Sequence, residues 1–187
     1  MPLEQGIERA RKLSEQLLDL ARIESADAPR ESVDLVALGR ELLAMHFPVA
    51  EQSGIDLGME AGDVPSVLSS ARLLRTILGN AIDNALKYTP AGGEVTLRIV
   101  ALGDGARCEI IDSGPGVEPS ERDQAFKPFH RLAGQAVGGT GLGLAIAREA
   151  ARRIGAQVSL HDRDDRRKGL VLRVDLPGAR AIGVNES

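Results

Sequence analysis

The run from near Ser70 to Pro90 constrains this chain more than any other stretch. Leu74, Leu78, Ala81, Ile82 and Ala85 recur at helical spacing, which predicts an amphipathic helix with a buried face, and Pro90 ends it. Asn80, Asn84 and Lys87 stand at i, i+4 and i+7, so they share one face roughly opposite Leu78 and Ile82. Two carboxamides and an ammonium in a row suit a metal–phosphate group. An Asn oxygen is a hard, neutral ligand for Mg²⁺, which takes few protein ligands beside phosphate oxygens and water. Lysine supplies a point charge for phosphate. By itself the stripe reads equally well as a solvated helix face.

Aromatic residues make up only 2% of the chain, so its core has to be built from Leu, Ile, Val and Ala. A length of 187 residues allows one full domain plus an appendage. The net charge of −4 argues against a general nucleic-acid surface, which needs a basic patch. Cys108 is the single cysteine, so no disulfide forms within the chain and an intracellular setting is expected. No apolar run approaches the roughly 18 residues that suggest a membrane span, and no signal peptide is visible.

Taken in order, residues 4–24 read as a polar-rich helix whose Ile7, Ala10, Leu13, Leu17, Leu20 and Ala21 form a stripe for partner helices. Pro29 lies in a linker, which places a boundary near residue 30. Val33 to Leu35 is a brief extended piece. Asp34 is expected to cap a helix running to about Gln52, stopped by Gly54. Strands are predicted over 55–60 and 64–69, with Ser70 as cap of the Asn-bearing helix. Residues 94–111 read as a β-hairpin turned at Gly103-Asp104-Gly105. A short helix is expected over 120–125 and a longer one ending at Ile154, with Gly155 as its stop. Strands follow at 157–161 and 170–176. The charged turn Asp162 to Lys168 reads as a solvated loop, and the tail after Pro177 carries little pattern. Irregular alternation with hairpins favours an α+β sandwich, a mixed sheet with helices on one face, over a doubly wound parallel sheet.

Three further stretches carry chemistry. Asp112-Ser-Gly114-Pro-Gly116 follows a strand and offers a carboxylate acceptor backed by glycines, which suits the exocyclic amine of adenine; the plain alternative is a turn. Phe126-Lys127-Pro128-Phe129-His130-Arg131 is an aromatic and basic cluster, able to anchor a loop while Lys127 and Arg131 face phosphate. Gly138-Gly139-Thr140-Gly141-Leu142-Gly143-Leu144 opens a helix, where backbone amides and the positive dipole end favour anions. It is neither a Rossmann fingerprint nor a P-loop, since it lacks both spacings.

An Asn helix, then Asp-x-Gly-x-Gly, then Phe-x-Pro-Phe, then Gly-x-Gly-x-Gly: that order resembles the ATP-binding catalytic domain of bacterial sensor histidine kinases, of the Bergerat fold shared with DNA gyrase and heat-shock ATPases. The resemblance covers roughly residues 33–177. Residues 1–28, ending Gln16-Leu-Leu-Asp-Leu-Ala-Arg-Ile-Glu24, are similar to the close of that family's second dimerisation helix, and 178–187 form a tail. The resemblance implies a two-layer α/β sandwich plus an N-terminal helix. It implies ATP and Mg²⁺ as ligands, with Asn84 holding the metal and Asn80 lining the phosphate site. Lys87 contacts phosphate, and Tyr88 flanks the triphosphate or ribose. Asp112 takes the adenine amine in a pocket shaped by Gly114 and Gly116. Residues 129–139 form a lid, with Arg131 toward the γ-phosphate. Gly139, Thr140, Gly141, Leu142 and Gly143 bring backbone amides to the phosphates. In this reading catalysis is positioning and charge neutralisation.

Two departures stand out. His130 occupies a lid position where the family often carries Tyr. None of His46, His130 and His161 lies in a context such as His-Glu-Leu-Arg-Thr-Pro, the family's phosphoacceptor motif. The chain is therefore expected to be a piece of a longer, membrane-anchored sensor that dimerises, to sit in the cytoplasm, and to bind ATP without phosphorylating itself. Its expected partners are the phosphoacceptor domain of the parent kinase and a response regulator. Rival readings are a superfamily ATPase, an anti-sigma-type serine kinase and a nucleotide-gated binding module. The first resembles enzymes with a Glu one helical turn before the metal-binding Asn, where this chain has Asn80, which is no base.

Overall fold

The computed structural model describes residues 29–130, 140–165 and 167–178, with Arg11, Leu13, Ser14, Gln16, Leu18 and Ile23 of the N-terminal segment, which are helical. Of those six, Ile23 is buried in the main core and Leu13 packs against it. Seven strands follow: β1 (Glu31–Val33), β2 (Asp56–Ala61), β3 (Val67–Ser69), β4 (Glu94–Leu102), β5 (Gly105–Asp112), β6 (Gln157–His161) and β7 (Leu170–Leu176). Three helices interleave with them: α1 (Leu35–Ser53), α2 (Ala71–Tyr88) and α3 (Gly143–Ile154).

Five strands form one mixed sheet in the order β2-β4-β5-β7-β6, and β1 pairs with β3 apart from it. Only the β2–β4 contact of the larger sheet is parallel. Period-two alternation sends Val95, Leu97, Ile99, Cys108 and Ile110 into the core under the helices. As expected from the low aromatic content, the interior is aliphatic: Leu73, Leu74, Ile77, Leu78 and Ile82 of α2 meet Leu142 and Ile146 at the start of α3. The residues between them point the other way and carry ions. Arg98, Glu109 and Arg173 stand in register across β4, β5 and β7, with Glu109 held by Arg173 at 2.7 Å and Arg98 at 3.5 Å. Among the described residues, no helix is long and apolar enough to cross a membrane.

The α+β architecture agrees with expectation, as do the helix stops. Asp34 caps α1 by accepting the Val36 and Ala37 N–H groups at 2.9 Å, and Gly54 ends it in the left-handed region. Local details differ. Ser70 holds the cap position of α2, but its side chain makes no capping bond. The first extended piece is Glu31–Val33 rather than 33–35, because Leu35 already belongs to the capped helix. Two 3₁₀ turns, Pro119–Glu121 and Gln124–Phe126, replace the single helix expected over 120–125. The tail beyond Gly178, and most of the expected 4–24 helix, lie outside the described residues.

His46 ties α1 to α2. Its Nδ1 donates to the Leu42 carbonyl at 2.7 Å, and its Nε2 lies 3.3 Å from Asp83 Oδ1. Both ring nitrogens thus face acceptors, which suits the imidazolium. The Asp83 carboxylate raises the His46 pKa against the opposing effect of burial. A raised folded-state pKa gives stabilisation that is full below the unfolded value and is lost as pH rises through the folded one. Because Asp83 is largely exposed, the gain is expected to stay below about 1 kcal/mol. Wild type should therefore melt above His46→Gln by at most about 2–4 °C at pH values below the ordinary imidazole pKa, with the gap shrinking as the pH rises through the raised folded-state value. A gap independent of pH would refute this.

Candidate nucleotide site

The site begins with two side chains on α2. Asn80 Nδ2 donates to the Thr76 carbonyl at 2.8 Å, and Asn84 Nδ2 donates to the Asn80 carbonyl at 2.9 Å. Each amide is thereby oriented by the turn below it, and among the described residues neither Oδ1 has a hydrogen-bond partner. Both residues are half-buried. Such neutral oxygens suit a hard cation that completes its shell with phosphate oxygens and water. Among the described residues, no group of three or more His, Cys, Asp or Glu forms an all-protein cage.

The N-terminus of α3 meets this pair directly. A methyl group added at Gly143 would stand 3.1 Å from both Asn80 Oδ1 and Asn84 Nδ2. A side chain there would fill the space between the amides and the open end of the helix, so glycine is what permits the approach. Leu142, beside it, is buried; its side chain anchors the loop in the core and does not face the groove. The free N–H groups of the first turn of α3 are therefore brought to the Asn pair, as an anion site requires.

The third piece arrives from the sheet. Asp112 ends β5 with the same parity as Cys108 and Ile110, so its side chain emerges under the helices. It is buried, and Oδ1 accepts the N–H groups of Gly114 at 2.8 Å and Leu170 at 3.3 Å. Among the described residues Oδ2 has no hydrogen-bond partner, so one oxygen is fixed and the other is available. Burial pushes the Asp112 pKa up to about 6, against the pull of the two N–H groups and the nearby charge of Arg163. Gly114 closes the gap to α2: a methyl group there would lie 3.0 Å from Asp112 Oδ1 and 3.0 Å from the Tyr88 carbonyl. Gly116 turns the chain with a positive φ against Gly169. At the end of α2, Lys87 Nζ donates to Tyr88 Oη at 2.9 Å and sits over that ring, 4.5 Å from its centre.

The aromatic cluster divides. Phe126 is buried, with the Arg148 guanidinium of α3 over its ring at 5.2 Å. Phe129 is exposed and in the left-handed region, and its N–H donates to the Gly141 carbonyl at 3.0 Å. That bond joins the end of the third motif to the fourth. Lys127 is exposed, with its carbonyl accepting the His130 N–H. Thr140 contacts the Gln16 side chain of the N-terminal helix, a link that no local pattern announces. Arg131 and Gly139, and the lid expected over 129–139 apart from Phe129 and His130, lie outside the described residues.

Residues 69–180 match the family described as histidine kinase-, DNA gyrase B- and HSP90-like ATPases. The chain belongs to that family. Among its relatives is the swarming motility regulation sensor protein RssA of Serratia marcescens, 38% identical over 179 residues, a match that covers 94% of this chain and 38% of RssA. The full-length ShkA crystal structure in complex with AMPPNP superposes with a TM-score of 0.79 at 29% identity, covering 89% of this chain and 35% of ShkA. The histidine kinase ThkA, in complex with response regulator protein TrrA, shares the fold at 18% identity and a TM-score of 0.78, covering 96% of this chain and 50% of ThkA. The family match and these relatives make this a sensor histidine kinase catalytic domain with the Bergerat fold. The chain spans well under half the length of RssA and ShkA.

The charged turn between β6 and β7 corrects the sequence reading. Arg163 is not a solvated loop residue: its side chain is 8% exposed and reaches the Asp112 carbonyl. Neither it nor the Leu170 N–H could have been found from spacing, because only the β5–β7 register puts Leu170 opposite Asp112.

Proposed function

We propose that this chain binds Mg·ATP and transfers the γ-phosphoryl group to a histidine other than its own three, for relay to a response regulator. The observation that carries the reading is that α2 is closely approached twice, with Gly143 of α3 against Asn80 and Asn84 and Gly114, just past β5, against Asp112 and Tyr88; in this reading the three pieces form one groove. Asp112 Oδ2 accepts the adenine amine. Asn84 Oδ1 holds Mg²⁺, Asn80 lines the same site, and Lys87 leaves Tyr88 to meet phosphate while the ring flanks the ribose or triphosphate. Thr140, Gly141 and Gly143, with Lys127 and the undescribed Gly139 and Arg131, complete the phosphate side. Mg²⁺, when bound, neutralises phosphate charge; the chain orients the triphosphate for in-line attack. No carboxylate precedes Asn84 by one turn to activate water, so the groove favours transfer over hydrolysis.

In this reading residues 33–177 are the catalytic unit and 1–28 the end of a dimerisation helix, in a longer dimeric sensor whose kinase part is cytoplasmic. The ThkA–TrrA complex motivates the regulator as partner. His46 Nε2 faces Asp83 and His161 Nε2 bonds Ser159 Oγ at 2.8 Å, so neither presents a free acceptor nitrogen there. Radiolabelled ATP should therefore leave this chain unlabelled, while a supplied phosphoacceptor helix pair gains acid-labile phosphate. Labelling of the chain alone, or rapid ATP hydrolysis without transfer, would overturn the proposal. A second reading, nucleotide occupancy gating a protein contact, draws on the Thr140–Gln16 link. Nucleotide binding with no transfer to any acceptor would favour it.

A further inference from the structure

The turn between β6 and β7 carries one guanidinium that holds three separate pieces of chain. Arg163 Nη2 donates to Glu94 Oε1 at 2.8 Å, at the start of β4. Its Nη1 donates to the Asp112 carbonyl at 3.2 Å, at the end of β5. Its Nε and Nη2 grip Asp165 in its own turn at 3.1 and 2.7 Å. Only a planar fork of five donors serves three acceptors in this way. The turn it holds lies directly on Asp112: a methyl group at Gly169 would fall 2.0 Å from the Asp112 carbonyl oxygen and 2.7 Å from Arg163 Cδ. The next residue, Leu170, gives the N–H that fixes Asp112 Oδ1 at 3.3 Å.

We propose that Arg163 is a positioning residue for purine selection, holding the Gly169–Leu170 backbone against Asp112 so that the free carboxylate oxygen points at the base. The inference rests on the reading of Asp112 as the adenine acceptor. Arg163 bonds the Asp112 carbonyl, not its carboxylate. It acts through Leu170 and the Asp112 main chain, and a general loosening of the fold would weaken every nucleotide alike. A displaced carboxylate instead weakens only discrimination at position 6 of the purine.

The test is calorimetric titration of the full chain with Mg·AMPPNP and with Mg·ITP. ITP has a carbonyl oxygen where adenine has its amine. Wild type is expected to prefer the adenine nucleotide by about 100-fold, the scale of a charged hydrogen bond replaced by an acceptor–acceptor clash. Arg163→Ala is expected to cut that preference about tenfold, mainly by weakening AMPPNP, and Arg163→Lys to cut it a few-fold. Thermal melting shows which variants fold. Wild-type preference in whichever variant folds overturns the proposal. Asp112→Asn is the control for the underlying reading: its amide should reverse the preference toward ITP. If it does not, the adenine assignment fails whatever the Arg163 variants do. If it does while the Arg163 variants keep full preference, the role of Arg163 alone fails.

Discussion

Asp112→Asn is expected to weaken ATP binding by about 100-fold while making the empty protein more stable. Both consequences come from one carboxylate with unequal oxygens. Oδ1 accepts the Gly114 and Leu170 N–H groups, a role an amide oxygen performs equally well. The replacement therefore puts its NH₂ where Oδ2 was, so a donor faces the adenine amine, which is itself a donor. The stability gain follows from the raised pKa. Burial lifts Asp112 to about 6, so the folded state keeps this proton to a higher pH than the unfolded chain does. Stability is therefore lost as pH rises from the unfolded value to about 6, and the cost is full above that. It amounts to about 2–3 kcal/mol at pH 7.5, and the neutral amide escapes it. Wild-type affinity for ATP should fall as pH drops below about 6, and that fall should vanish in the variant. Calorimetry and thermal melting between pH 5 and 8 check all three statements. An unchanged affinity at pH 7.5 would remove Asp112 from the binding site.

The second large effect is expected at Asn84. Asn84→Ala should cost about 100-fold in affinity for Mg·ATP yet leave metal-free ATP binding nearly unchanged. Alanine is a better helix former than asparagine, and the only hydrogen bond lost from the described structure is the one back to the Asn80 carbonyl. Folding should therefore survive, and the loss can be assigned to Oδ1, which has no hydrogen-bond partner among the described residues. The decisive quantity is the ratio of affinities with and without Mg²⁺. If that ratio is the same in both proteins, Asn84 does not hold the metal. Asn80→Ala is a useful companion, because Asn80 Oδ1 faces the same Gly143 approach.

These expectations couple the site to the scaffold. In the proposed reading the groove lies between α2, α3 and the end of β5, so its parts come from elements that also form the aliphatic core. Leu142 shows this: it lies in the glycine-rich motif, yet its side chain is buried to hold the start of α3 while its neighbour Gly143 meets the amides. Glycines on either side of a buried leucine let one short stretch be both anchor and open surface.

Much of this protein was legible along the chain. Helical spacing placed α2 and its polar face, because one turn of helix fixes which side chains stand together. The Asp34 cap, the Gly54 and Gly155 stops, the 94–111 hairpin and strands β6 and β7 are local matters of turn chemistry and alternation, and they were readable for that reason. The order of four motifs was enough for the family, with which the match over residues 69–180 agrees. Tertiary structure decided everything that depends on register and close approach. The parity of β5 aims Asp112 under the helices, the β5–β7 pairing brings Leu170 opposite it, and the empty side chain of Gly143 lets α3 touch α2. Arg163 was misread because a charged turn looks solvated when its acceptors are 51 and 69 residues away. Local propensity carries no record of such distances; only the folded sheet brings those groups within reach of one guanidinium.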